Sequence, residues 1–183
     1  LLRNIIKNLP KKSDIVSTTG ILSRELNEIL NSYNKNKINN FMCVGGMGHA
    51  ISVASGIAFN TKKKIFCFDG DGALTMQMGS LTTSAIQKNL VHILFNNNGH
   101  ESVGGQKTSA DNVQFYKLAK TLGYKTTRYC KNKIQLTKAI SESILSKNSF
   151  FIEVLCKQGH RKNISRPDTK MIILKEQFMK NLK

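Results

Sequence analysis

Two carboxylates stand where an apolar run stops in "IFCFDGDGAL", Ile65 to Leu74: Asp69 and Asp71, with Gly70 between them and Gly72 after. Glycines on both sides of Asp71 remove the side chains that would keep a ligand away from the backbone. A helix starting just beyond would add free amides that favour an anion. Asp71 is then a hard oxygen ligand beside a phosphate seat. Magnesium suits such a place, since it takes carboxylate and carbonyl oxygens and fills its remaining positions with phosphate oxygens. A plain turn is the competing reading of Gly-Asp-Gly taken alone. The next apolar run, "VHILFN", ends in Asn96-Asn97-Asn98, with Asn97 placed 26 residues after Asp71. On adjacent parallel strands, an amide oxygen and a main-chain carbonyl from that turn complete an octahedral shell. An Asn-rich turn in an Asn-rich chain is the alternative.

The elements that must bring these tips together read as alternating strands and helices. Leu1, Leu2, Ile5, Ile6 and Leu9 share one helical face, closed by Pro10. "DIVSTTG" is a strand closing on Gly20, and Ser23 to Tyr33 repeats apolar residues at helical spacing. "FMCV" is a strand entering "GGMGHA". Ala50 to Phe59 is a helix of small residues, "KIFCFD" a strand, and Met76 to Lys88 a helix. "NNGHESVGGQKT" is an irregular loop. A helix through Phe115 and Leu122 ends at Gly123, "YKTTRYC" is a strand, Ile134 to Leu145 a helix, "SFFIEVLC" a strand and Thr169 to Lys183 a helical tail. Continuous apolar strands between helices predict an α/β fold, a doubly wound, mainly parallel sheet with helices on both faces. Ligands then gather at the carboxyl ends of strands, which here means the loops after Val44, Phe68 and Phe95.

The chain has 183 residues, 40% of them hydrophobic and 21% charged, which suits one domain over residues 1–183 with a substantial core. No apolar run approaches the ~20 residues of a membrane helix. The formal charge of +17 raises a nucleic-acid module as an alternative class. The lysines are scattered in "NKNKINN", "TKKKIF" and "CKNKIQ", however, and do not interleave with aromatic residues as a single-strand face needs. Cys43, Cys67, Cys130 and Cys156 share no short spacing, so no zinc pattern or disulfide framework emerges, and a reducing cytoplasm is the expected compartment.

Gly70-Asp71-Gly72, followed after one helix and one strand by Asn-Asn, resembles the signature of thiamine diphosphate enzymes. The longer runs "GDGALTMQMGSLTT" and "NNNGHESVGGQKT", together with "VSTTGILSREL" and "FMCVGGMGHAISVASGIA", are similar to the phosphonopyruvate decarboxylase and sulfopyruvate decarboxylase family. The likeness runs from about Asp14 to Pro167. It implies thiamine diphosphate and Mg2+ as cofactors. Asp71 binds the metal through its carboxylate, Asn97 through its amide oxygen and Gly99 through its main-chain carbonyl. Asn98 is the alternative register within the triple Asn. Gly70, Gly72 and Ala73 lie along the diphosphate, with Thr18, Thr19 and Gly20 nearby, a Thr-rich turn being the competing reading there. Met47 in "GGMGH" matches the bulky apolar residue under the bent cofactor, a proximity device, against ordinary core packing. Gly45 or Gly46 offers a carbonyl to the cofactor's amine. His100 donates to the substrate or moves a proton, or else scaffolds its loop. His49 caps its loop, and His92 is a buried strand residue. His160, Arg161 and Arg166 lie near a Gly- and Arg-rich family segment, the arginines being able to pair with an anion.

The implied reaction is decarboxylation of a small anionic 2-keto acid, with the cofactor carrying the chemistry. "HESVGGQ" favours phosphonopyruvate as substrate. A separate-subunit organisation favours sulfopyruvate. The activating Glu of the family belongs to a pyrimidine-binding domain, and neither Glu25 nor Glu101 stands where that Glu should. The resemblance therefore implies the diphosphate-binding half of a homo- or hetero-oligomer, nearly inactive until a pyrimidine-binding domain or subunit completes the site. A lone cofactor-binding domain with a structural or regulatory role is a further alternative.

Overall fold

Inner strands with apolar residues pointing both ways need cover on both sides, and the computed structural model, described for residues 1–32 and 38–182, supplies it. The order is α1 (Leu2–Asn8), β1 (Asp14–Ser17), α2 (Ile21–Ser32), β2 (Asn39–Met42), α3 (Ala50–Phe59), β3 (Ile65–Gly70), α4 (Asp71–Met76), α5 (Ser80–Ala85), β4 (Leu90–Asn96), α6 (Phe115–Thr121), β5 (Thr126–Cys130), α7 (Lys133–Leu145), β6 (Phe150–Leu155) and α8 (Met171–Leu182). All pairings are parallel, in the spatial order β2-β1-β3-β4-β6-β5. The doubly wound α/β expectation therefore holds.

Alternation along each strand divides the core. Ile15, Phe66, Phe68, Val91, Ile93, Phe95, Phe150, Ile152 and Val154 meet α1, α2 and α7 on one face. Val16, Ile65, Cys67 and Leu90 meet α3 on the other, while Leu94 and Phe151 meet α4, α5 and α6 there. The small residues of α3, Ala50, Ala54 and Ala58, let that helix lie close to the sheet. Helix α8 closes the β2 edge, where Phe178 packs edge-on against Phe41 with ring centroids 5.6 Å apart.

Three local expectations change. The strand read as Phe41 to Val44 runs instead from Asn39 to Met42, and Val44 is exposed. Its start is fixed by a polar contact: the buried Asn39 amide donates to Asp14 Oδ1 and to the Phe178 carbonyl, both at 3.0 Å. The helix expected from Met76 to Lys88 is two short helices, α4 and α5. Gln77 leaves helical geometry at φ −141°, ψ 46°, and α4 starts earlier, at Asp71 itself. The loop after β4 is more ordered than its composition suggests, with an antiparallel bridge between Gly99 and Lys107. Tyr33 and Lys183, ends of two expected helices, and residues 34–37 of "NKNKINN" lie outside the described residues. Among the described residues no helix is long and apolar enough to cross a membrane.

Ile93, fully buried on the central strand β4, tests this packing. Ile93→Ala should destabilise the fold by about 2–5 kcal/mol, read from urea unfolding midpoints.

Candidate active site

The register of β3 on β4 sets the site. Pairing ends at Gly70 opposite Phe95, so Asp71 and the Asn96–Asn97 pair leave neighbouring strand tips within two residues of that point. Gly70 is still extended, at φ −111°, ψ 151°, and the chain turns into α4 at Asp71. The Asp71 side chain is buried and opens on a cavity of about 430 Å³ at the carboxyl ends of β1, β3, β4 and β6. Burial pushes its carboxyl above the usual range. The Thr108 hydroxyl and the main-chain amides of Asn97, Asp71 and Gly72 pull it back down. The Asn97 amide thus lies near enough to favour the charged Asp71 carboxylate, and the two strand tips share one cavity. Thr108 is fixed as a donor, because its Oγ1 already accepts from the Ala110 amide at 3.3 Å.

The triple Asn divides between two spaces. Asn97 and Gly99 line the cavity of Asp71, whereas Asn96 and Asn98 line a separate hollow beside Glu153, Tyr116 and Tyr129. Asn98 sits in left-handed geometry, φ 55°, which turns its side chain away from its neighbour's. Asn97 Oδ1 accepts from the Gly99 amide at 3.2 Å, and its Nδ2 donates to Glu101 at 3.4 Å. An amide oxygen has two lone pairs, so one remains for a cation.

Of the sequence-predicted residues, Thr19, Gly20, Met47, Gly70, Gly72, Ala73 and His100 also line the cavity. Met47 belongs to none of the three core clusters, which removes the core-packing alternative. Gly45, Gly46 and His49 do not line the cavity. The Gly46 carbonyl is taken by the His49 amide at 3.0 Å and the Cys43 thiol at 3.4 Å, while Gly45, at φ 77°, shapes the turn that carries Met47. His49 stands at the start of α3 with Nδ1 3.1 Å from the Met47 carbonyl. The His100 ring occupies the space beside Gly72: a Cβ there would lie 2.6 Å from its Cε1 and 3.1 Å from Thr108 Cγ2.

Segment 157–165 borders the cavity and is stitched to both neighbours. Glu101 accepts from the Gly159 amide at 2.6 Å and stands 3.0 Å from His160 Nδ1, contacts that hold its carboxyl below the usual range. Arg161 does not face an anion site: it pairs with Glu28 on α2 and lies 3.8 Å from Glu25. Arg166 does not line the cavity.

The diphosphate and metal expected from the sequence fit this wall. The Thr18 hydroxyl is buried there with no hydrogen-bond partner, an orphan that an anionic oxygen would satisfy. The donors around Asp71 are carboxylate, amide and carbonyl oxygens, the set magnesium takes. Sequence reasoning missed Thr108, the last residue of "NNNGHESVGGQKT", since nothing in its type marks it as a partner of Asp71. It also missed Glu25 and Lys157, which reach the cavity from α2 and from beyond β6.

Comparison with known proteins bears on the same residues. Positions 18–154 match the family described as thiamine pyrophosphate enzyme, C-terminal TPP binding domain. A phosphonopyruvate decarboxylase of Streptomyces viridochromogenes is 31% identical over 91% of this chain and 41% of its own length. A sulfopyruvate decarboxylase subunit beta of Methanocaldococcus jannaschii is 36% identical over 69% of this chain and 66% of its own. The chain thus spans less than half the length of the Streptomyces relative. The crystal structure of benzoylformate decarboxylase from Polynucleobacter necessarius superposes with a TM-score of 0.68 at 17% identity, covering 87% of this chain and 33% of that one, a likeness of fold.

Gly72→Ala should push the His100 ring aside and cost about 1–3 kcal/mol of stability by overpacking. Most of that loss should return in Gly72→Ala combined with His100→Ala, as a double-mutant cycle on thermal unfolding would show.

Proposed function

The chain belongs to the thiamine pyrophosphate enzymes, through their C-terminal cofactor-binding domain, and from that premise we propose that it is the diphosphate- and magnesium-holding half of a decarboxylase for an anionic 2-keto acid, phosphonopyruvate first. The observation that carries the reading is that Asp71, Asn97 and Gly99, from the tips of β3 and β4, line one cavity that also holds an unpartnered Thr18 hydroxyl. When bound, thiamine diphosphate supplies the electron sink that lets a 2-keto acid release its carboxylate as carbon dioxide.

The protein's share is binding and orientation. Asp71, Asn97 and Gly99 would hold Mg2+, with Thr108 keeping the carboxylate aimed. The amides of Gly72 and Ala73, at the start of α4, and the hydroxyls of Thr18 and Thr19 would meet the diphosphate. Met47 presents an apolar thioether to the same space and would fix how the cofactor's rings lie. His100 and Lys157 are cationic or donor groups on the wall, suited to the substrate's second acid group. A pyrimidine-binding domain would complete the site. Val44 and Val103, exposed after β2 and in the loop after β4, and the half-exposed Leu155 at the end of β6 offer it an apolar rim.

Sulfopyruvate is the second reading, favoured by the 36% identity to a protein named as a subunit beta, of which the chain covers 66%. Assay of the completed enzyme with both acids decides between them, and inactivity with both would remove the decarboxylase reading. Asp71→Ala should lower magnesium-dependent cofactor affinity by at least about 100-fold, the upper end of what even an outer-shell partner costs. Asn97→Ala should follow it and Asn98→Ala should not. Calorimetric titration reads all three, and an unchanged affinity in Asp71→Ala would sink the site. Met47→Ala should keep the metal dependence while lowering turnover.

A further inference from the structure

The first of the two acids, Asp69, has no place in the cavity. Its side chain is fully buried on the α3–α5 face of the sheet, two residues from Cys67 on the same side. Asp69 Oδ1 accepts the amide of Gly70 at 2.9 Å. Oδ2 lies 3.3 Å from Nε2 of the fully buried His92, near enough to pair but out of hydrogen-bond alignment, and neither atom has another partner. His92 Nδ1 is 3.4 Å from the Tyr124 hydroxyl, which is 2.8 Å from Ser84 Oγ on α5. Asp69, His92, Tyr124 and Ser84 are each at most 1% exposed. Four polar side chains in series through a dry core are costly to bury, and apolar residues of the same shape would often serve stability as well or better. What the series does, and apolar residues cannot, is grip the Gly70 amide, one peptide before Asp71.

We propose that His92 and Asp69 are positioning residues: the chain Ser84–Tyr124–His92–Asp69 fixes the Gly70 peptide and so aims the Asp71 carboxylate at the cavity. The inference rests on the functional reading above, since it concerns the same site. Asp69 and His92 touch neither cofactor nor substrate and act through the turn, as outer-shell partners orient metal ligands elsewhere.

Two readouts test it. In the full chain without cofactor, the His92 ring N–H should give a nuclear magnetic resonance signal protected from solvent exchange, and that signal should vanish in Asp69→Ala. An unprotected ring in the wild type overturns the proposal. In binding titrations below the unfolding range, His92→Leu should weaken magnesium-dependent thiamine diphosphate binding about 10- to 100-fold, while lowering the thermal midpoint because the buried Asp69 carboxylate loses its neighbour. His92→Gln, which keeps a donor near the Nε2 position, should restore most of the affinity. Tyr124→Phe removes one hydroxyl and should lower affinity with little change in the fold. Parallel loss of stability and affinity in all three variants, without rescue by Gln, would mean a merely structural role and overturn the proposal. Cys67 Sγ lies within 4.8 Å of the ligand atoms of both partners. One equivalent of zinc in the purified chain, lost in Cys67→Ser, would therefore also overturn it. A wild type that binds cofactor while His92→Leu binds equally removes this inference alone. A wild type that takes up no cofactor removes the functional reading and this inference with it.

Discussion

The site depends on the Asp71 carboxylate being buried where two parallel strands end side by side, held there by the Thr108 hydroxyl. A carboxylate this buried must be satisfied by fixed donors. Here Thr108, from the loop that folds back over both tips, donates its hydroxyl, and the nearby amides of Asn97, Asp71 and Gly72 favour the charge. The arrangement exists only in one register. A slip of one residue between β3 and β4 would exchange the faces of every side chain on the strand, sending Cys67 and Asp69 into the α1–α2–α7 side and Phe66 and Phe68 out of it. The apolar alternation that builds the core therefore also holds the chemistry in line.

The two tips are secured from beneath in the same manner. Asp69 takes the Gly70 amide below the first. Glu153 on β6, 2% exposed, takes the Asn96 amide group at 2.9 Å below the second. The other oxygen of Glu153 accepts the Tyr116 amide at 3.0 Å, which ties the start of α6 to the same point. Each carboxylate lies on the sheet face that carries α3 to α6, one level under a residue proposed for the metal. Asp69 and Glu153 each accept one backbone amide in that layer, so hydrogen bonds made inside the core support the tips as well as the loop above.

The sheet, its layers and the two tips were legible in the sequence because they rest on local signals: unbroken apolar runs, helical spacing, and glycines beside acids. Asn97 over Asn98 was open in composition alone, and only the left-handed turn at Asn98 assigns the two side chains to different spaces. What stayed hidden depends on distant segments meeting. Thr108 reaches Asp71 over 37 residues, and Arg161 reaches Glu28 over 133. Arginine type suggested an anion site; tertiary pairing to α2 gave it a different use. His92 read as a plain buried residue, since its partners Asp69 and Tyr124 lie on another strand and beyond another helix. The early start of α4 was missed because Gly70 and Gly72 punctuate the sequence as a turn, whereas Gly70 stays extended and Gly72 lies within the helix.

Net charge gives the wrong impression of this cavity. The chain carries +17, yet three carboxylates, Glu25, Asp71 and Glu101, line the space. Two of them are partnered where they stand: Glu25 lies 3.8 Å from the Arg161 guanidinium, and Glu101 accepts the Gly159 amide at 2.6 Å with His160 Nδ1 3.0 Å away. Asp71 has no cationic side chain within ion-pair distance among the described residues; its hydrogen-bond donor is the Thr108 hydroxyl. Burial of an uncompensated carboxylate raises the cost of its charge. A divalent cation lowers that cost most directly, and the cation in turn offers its remaining positions to oxygens of opposite charge. The compensated acids do not compete for it. One carboxylate at a strand tip, beside the amides of α4 and the unpartnered Thr18 hydroxyl, is thus where the proposed metal and phosphate would sit, a point the total charge hides.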